Sequence, residues 1–492
     1  VTPISENMPW DLLVVGGGTA GLVSAQTAAG LGARVALVER ARTGGDCLWT
    51  GCVPSKALVA AGARAAEARR ASRMGVHVGD VSVDLAEVMA HVQDAIRTIE
   101  PVDSSAALEA AGVRVIAGDL TFTGPHSAQV DGRPLAFEQA VVCTGSAPLL
   151  PPLPGLAEAD PLTTDDVWQL RELPRRLAVL GGGSTGCELG QSFARLGAEV
   201  TIVEAAGRVL PAEEADASRV VSRSLARDGV SLRTGAAVTS VRSTATSGVL
   251  VLAEDTTVEF DRLLVAAGRS PRTQGLGLER AGVRVDAQGY VEVDSHLRTT
   301  SRTIWAAGDV TGHPPYTHHA GVSGSVVTAN AVLGLRRRVD TSALPRVTYT
   351  QPEVASVGVS PETAGERGMR VVPWANAHVD RAVAESDVEG FTRLVVDPKG
   401  RVVGATVVGP RAGETLGELT VAVRHGLRTR DLAATMHAYP TYNDGVWNAA
   451  LHDVRRRLRA PVARRATGAL VTARRRWVRA RRSTDGAGAL DG

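Results

Sequence analysis

This chain of 492 residues predicts an α/β protein: two domains built around parallel sheets, then a smaller α+β domain. Three observations predict it. One unit of strand, glycine turn, helix and strand occurs twice. Apolar runs ending in glycine recur after each copy. The final globular segment, residues 346–453, switches to strands that alternate in polarity.

The repeated unit is VVGGGTAGLVSAQTAAGLGARVALVERA (14–41), which returns as VLGGGSTGCELGQSFARLGAEVTIVEAA (179–206) without insertion at a shift of 165 residues. Each copy carries G-x-G-x-x-G, as Gly16, Gly18, Gly21 and as Gly181, Gly183, Gly186. Each ends in an acid, Glu39 or Glu204, eighteen residues past the third glycine. The first glycine permits the tight turn, the second lets backbone approach a pyrophosphate, and the third lets helix pack on strand; the acid bonds a ribose hydroxyl. These are Rossmann-like dinucleotide-binding units, and two of them suggest a nicotinamide paired with a flavin. Later strand-to-glycine runs support this: AVVCTGSAP with Gly145, RLLVAAGRSPR with Gly268, and TIWAAGDVTG, where Asp309 is placed to reach a flavin dinucleotide.

Composition is that of a globular chain, 44% hydrophobic and 22% charged, with only four cysteines. That excludes a disulfide scaffold and points to the cytoplasm. The uncharged stretch 12–33 is too rich in glycine to read as a membrane span. Lysine is nearly absent, two residues against 52 arginines.

One of those lysines follows the two closely spaced thiols of GGDCLWTGCVPSKAL (44–58), Cys47 and Cys52. Zinc needs four ligands, and Cys143 and Cys187 stand alone, so no metal site is expected. A helix should open after Asp46 and run to about Arg70. Residues five apart in a regular helix are displaced about 7.5 Å along the axis. A disulfide tolerates Cα separations of only about 6.8 Å, so bridging requires a distorted turn. Thiolates near a helix N-terminus and a cation are favoured, which suits a pair that cycles. Asp46 is expected to add negative charge beside Cys47, raising its pKa. The adjacent His318 and His319 are read as loop residues that share no metal.

With these residues assembled, the chain resembles the pyridine nucleotide-disulfide oxidoreductases over about residues 9–452: the two glycine units, the G-G-x-C-x4-C-V-P-S-K run that includes Gly45, the A-A-G-D segment at 306–309, and a P-T at Pro440 and Thr441. The resemblance implies an FAD-binding domain in two parts (1–150 and 271–345), an NAD(P)-binding domain between them (151–270), a dimerisation domain (346–454) that forms homodimers, and an arginine-rich tail (455–492). It implies that Cys52 lies against the flavin while Cys47, the other half of a redox-active disulfide, attacks the substrate. It also implies that Lys56 and Glu188 pair near the flavin. Glu204 favours NADH over NADPH, since a carboxylate repels a 2′-phosphate, although Arg208 is close by. Ser184 stands where many relatives carry an aromatic gate.

The pattern breaks at MHAYPTYNDGVW (436–447). Where dithiol-handling relatives carry H-P-T-x-x-E, this chain has Tyr439 in place of the histidine and Asp444 in place of the glutamate, with His437 two residues upstream as a substitute acid-base group. Tyrosine there is similar to mercuric reductases, whose soft metal substrate needs thiolates more than a proton donor. The acceptor is thus open among a small-molecule disulfide such as lipoamide, a metal ion and a quinone. A redox-inactive flavoprotein docked by its tail is the non-enzyme alternative.

Residues 455–482 hold twelve arginines and no acid, whereas residues 1–454 hold 42 basic against 50 acidic residues. Three readings compete for this tail: a solvated, partly disordered extension, an amphipathic segment on an anionic membrane surface, and a nucleic-acid contact, the least favoured. Pro461 and Gly468 are expected to weaken a continuous helix.

Overall fold

In the computed structural model, which describes residues 8–244, 247–253 and 256–487, the chain forms two compact units. The first holds residues up to 341 together with 348–351; the second holds 342–347 and everything from 352.

The first unit is organised by the duplicated motif. Strand Trp10–Val15 enters the glycine turn, helix Thr19–Gly30 follows, and strand Val35–Glu39 returns parallel to the first. Strands Val113–Ala117, Arg133–Val142 and Ile304–Ala306 extend this parallel sheet, and residues 120–130 add an antiparallel hairpin at its edge. Residues near 305 therefore join a sheet begun at residue 10. Both faces are covered: Leu12 and Val14 enter one core, Leu13 and Val15 another, so the strand reads as an unbroken apolar run. The second copy repeats the design with strand Arg176–Leu180, helix Ser184–Leu196 and strand Glu199–Glu204 in a four-stranded parallel sheet.

The helix expected to open after Asp46 is broken. A short helix, Gly45–Trp49, stops at Thr50, the backbone turns at Gly51, and the thiol helix, Cys52–Arg70, begins. His318 and His319, expected in a loop, instead lie in the first turn of helix Thr317–Leu333, where the Tyr316 ring stacks on His318 and His319 is buried.

The thiol helix runs alongside the helix of the second glycine unit. A Cβ on Gly62 would lie 3.2 Å from the Cα of Ser192, so the two backbones approach as closely as glycine allows. At the far end, Asp228 accepts from both Arg70 and Arg195, with Gln191 also donating to it at 2.9 Å. The side chains of Arg195 and Asp228 are only 4% and 1% exposed.

The second unit is a five-stranded sheet in the order 346–348, 353–358, 402–409, 391–396, 370–375, with helices Ala412–His425 and Asp444–Leu458 contributing to its core. The FTRLVVD and VVGATVVG segments pair antiparallel, as their alternation predicts. Residues 455–458 complete helix Asp444–Leu458, and the remaining tail is one helix, Pro461–Ala487. Pro461 does not weaken it, because the first helical position needs no amide donor, and Gly468 costs only about 1 kcal/mol in a run otherwise rich in alanine and arginine.

Removing Asp228 leaves a buried guanidinium without its counter-charge. Asp228→Ala is expected to lose about 3–5 kcal/mol, measured as a lowered urea unfolding midpoint at unchanged m-value.

Candidate active site

Both glycine turns have the geometry that close ligand approach requires. Gly16 and Gly181 sit at φ +103° and +113°, and a Cβ on Gly21 or Gly186 would fall 1.9 Å from the carbonyl oxygen of its unit's first glycine. Gly18 and Gly183 cap their helices in extended conformation with no side-chain cap, leaving the first-turn amides to a ligand. Gly45 lies against Gly18, where a Cβ would come 2.5 Å from its Cα. The two strand-end acids hold the turns themselves: Glu39 accepts from the amides of Gly17 and Ala41 at 2.7 and 2.8 Å, and Glu204 from those of Gly182 and Ala206 at 2.7 Å each. Arg208 turns away onto the carbonyls of Pro211 and Glu213.

Gly145 and Gly268 lie just ahead of the paired strands Ser146–Pro148 and Arg269–Pro271. Asp309 accepts from Ser146 Oγ at 2.7 Å, and Arg269 donates to the same hydroxyl. Arg269 also binds Asp46, whose other oxygen takes Arg272 Nη1 at 3.1 Å. Sequence reasoning had Asp46 acting on Cys47. Two guanidiniums partner it, and the largest influences raising the Cys47 thiol are Cys52 and burial.

All four cysteines are free; Cys143 and Cys187 are buried, and burial raises both thiols. Cys47 and Cys52 lie close enough for each to shift the other's ionisation, and the helix is broken between them at Gly51. Cys52 Sγ also lies 3.2 Å from Thr317 Oγ1. The hydrogen bond from Cys47, then Thr317 and the charge of Lys56, outweigh burial and hold Cys52 at about 6. The same Cys47–Cys52 bond, together with burial, pushes Cys47 far above the ordinary thiol range. Cys52 is therefore the more acidic thiol of the two. Lys56 Nζ contacts Glu188 Oε2 at 2.7 Å and lies 4.3 Å from the centre of the Tyr349 ring; Glu188 Oε1 takes the Tyr349 amide at 2.9 Å. Ser184 Oγ meets Thr348 Oγ1 at 2.7 Å.

Within the second unit, the C-terminal candidates are all engaged. Tyr439 donates its hydroxyl to Asp380. Asp444 accepts from the Thr441 amide at 3.2 Å, closing the turn before its own helix. His437 has Nε2 2.9 Å from Glu418 Oε1 and Nδ1 2.9 Å from the Thr435 carbonyl oxygen, so both ring nitrogens already face acceptors.

Residues 10–324 match the family model described as pyridine nucleotide-disulphide oxidoreductase, and residues 344–450 match that family's dimerisation domain. The chain belongs to this family. A mercuric reductase of Bacillus cereus is 34% identical over 452 residues, covering 90% of this chain and 72% of that one. A dihydrolipoyl dehydrogenase of Geobacillus stearothermophilus is also 34% identical over 452 residues, covering 89% and 95%. Among solved structures, the Cu(II) complex of the HOCl-induced flavoprotein disulfide reductase RclA from Escherichia coli superposes with a TM-score of 0.81 at 27% identity, covering 90% of this chain and 99% of that one.

As a pyridine nucleotide-disulfide oxidoreductase, the chain is an enzyme that uses FAD and NAD(P)H, and its dimerisation domain supports a homodimer. The residues fit these cofactors: two glycine-capped helices present uncapped amides, and nothing would meet a Cβ on Gly183 within 4 Å. No helix among the described residues is long and apolar enough to cross a membrane. Arg269 and Arg272 lie in the run RLLVAAGRSPR without having been singled out, whereas Thr317 and Glu418 lie in no motif read from the sequence and Thr317 is 265 residues from the thiol it contacts.

In the reduced enzyme, Cys52 is expected to ionise with a midpoint near pH 6, read as thiolate absorbance in the ultraviolet. Thr317→Val and Lys56→Met each remove a group that favours the anion, so each should move the midpoint upward.

Proposed function

We propose that this enzyme passes electrons from NAD(P)H to the Cys47–Cys52 pair and on to a soft metal ion. The observation that carries this reading is the C-terminal segment: Tyr439 is tied to Asp380 and His437 to Glu418 and Thr435. Disulfide and quinone acceptors each take up two protons with two electrons, so they need a group that delivers protons. A metal ion takes electrons alone. NAD(P)H is oxidised to NAD(P)+ with release of one proton, and its two electrons convert one Hg(II) to Hg(0) or two Cu(II) to two Cu(I).

Bound FAD supplies the two-electron relay between nicotinamide and thiols. The chain's own residues then have separate roles. Lys56, oriented by Glu188, would offer a positive charge to a bound flavin, and Cys52, the more acidic thiol, would be the sulfur that receives electrons from it. Cys47 is the outer sulfur that meets the acceptor. Two adjacent thiols suit a soft divalent ion, and among the described residues no cluster of three or more histidine, cysteine or acidic side chains forms a resident metal site. Glu204 at the second ribose position supports NADH as the donor. The mercuric reductase and copper-bound RclA relatives support a metal acceptor, and the dihydrolipoyl dehydrogenase relative supports the lipoamide alternative.

Steady-state oxidation of NADH against Hg(II), Cu(II), lipoamide and quinones tests the proposal. Turnover should be fastest with a metal ion and lost in Cys47→Ser; preferential lipoamide turnover refutes it. Restoring the dithiol pattern with Tyr439→His and Asp444→Glu is expected to raise lipoamide turnover about a hundredfold, the scale of general acid-base catalysis, with little change in metal reduction.

A further inference from the structure

The helix Pro461–Ala487 takes no part in the chemistry above, yet it is the most strongly charged feature of the molecule. Within it, Val462, Ala466, Leu470, Ala473, Trp477 and Ala480 recur at spacings of three and four, which places them on one face. Arg464, Arg475 and Arg479 fall on the opposite face. No acidic residue occurs before Asp485. The apolar face is open: Val462 and Leu470 are 80% and 70% exposed. Arg474 and Arg481 lie over the Trp477 ring with their guanidiniums 4.0 and 4.5 Å from its centre, so the aromatic anchor is flanked by cations on long apolar stems.

We propose that this helix is a docking element for an anionic lipid bilayer, lying in the interface with Val462, Leu470 and Trp477 inserted and the arginines among the phosphates. Charge complementarity selects this occupant. A second copy of the helix would bring a like-charged surface against it. A nucleic acid would use the arginines and leave the apolar face with no role, whereas a bilayer uses both faces at once. The helix is about 40 Å long but too polar to span, which fits it to the interface. Such docking is independent of the acceptor assigned above.

The test is co-sedimentation of the full-length FAD-loaded enzyme with vesicles of phosphatidylcholine alone or mixed two to one with phosphatidylglycerol. Binding should be at least about tenfold stronger to the anionic vesicles and weaken at high salt. Deleting 461–492 should abolish it, while ferricyanide reduction by NADH stays unchanged and reports a folded enzyme. The triple variant Val462→Ser, Leu470→Ser, Trp477→Ser keeps every arginine and should bind about tenfold more weakly. Undiminished vesicle binding by that variant would show a merely polycationic tail and overturn the proposal. So would absent vesicle binding by the parent enzyme, with or without retention of duplex DNA at the same salt.

Discussion

The arrangement of the first unit rests on the close parallel contact between the thiol helix and the helix of the second glycine unit. Gly62 permits the approach to Ser192, and an ionic link fixes each end, Lys56 to Glu188 at one and Arg70 to Asp228 to Arg195 at the other. Neither link is a surface pair: Glu188, Asp228 and Arg195 are all buried, where losing one partner strands a charge. Because Lys56 lies one turn beyond Cys52, whatever fixes the lysine also fixes the thiol. The segment 348–351 seals the same helix, with Thr348 on Ser184, Tyr349 on Glu188 and Gln351 on Gln191. Redox geometry and helix packing are thus one problem with one solution.

Charge is used a second way around Asp46. An acid next to a reactive thiol would oppose ionisation, but Arg269 and Arg272 neutralise it and convert it into an anchor for the short helix that carries Cys47. Arg269 also reaches Ser146, which donates to Asp309. The chain of contacts from Asp309 to Asp46 therefore connects the segment expected to face the flavin with the segment bearing the outer sulfur. Mutual influence of the two sulfurs, with Thr317 and Lys56 beside Cys52, lowers the Cys52 thiol and raises that of Cys47.

What could be read from sequence was whatever covalent geometry or close spacing dictates. The repeated glycine unit specified two parallel sheets, and the reach of a disulfide required a distorted turn between the thiols without saying where the helix expected after Asp46 would break. The Lys56–Glu188 contact was inferable only through resemblance, since 132 residues separate the two. The partners of Asp46 were not legible because they lie 223 and 226 residues away, and spacing carries no information at that range. The terminal helix was underestimated for a different reason: one proline and one glycine were weighed without their positions, although proline at a first turn and glycine among alanines and arginines interrupt nothing.

The C-terminal segment shows why one half of a catalytic apparatus can change without the other. In the proposed reaction, electron transfer would use the two sulfurs, Lys56 and a bound flavin, whereas proton delivery would fall to side chains of the second unit. Substituting Tyr439 leaves the packing of Gly62 on Ser192 and the ionic links of the thiol helix untouched, because no residue of those contacts belongs to the second unit. His437 is then secured by Glu418, and Asn443 donates to the other oxygen of the same carboxylate at 2.7 Å, so the imidazole belongs to a closed polar cluster. On the proposed reading, such a division would suit acceptors whose reduction moves electrons alone.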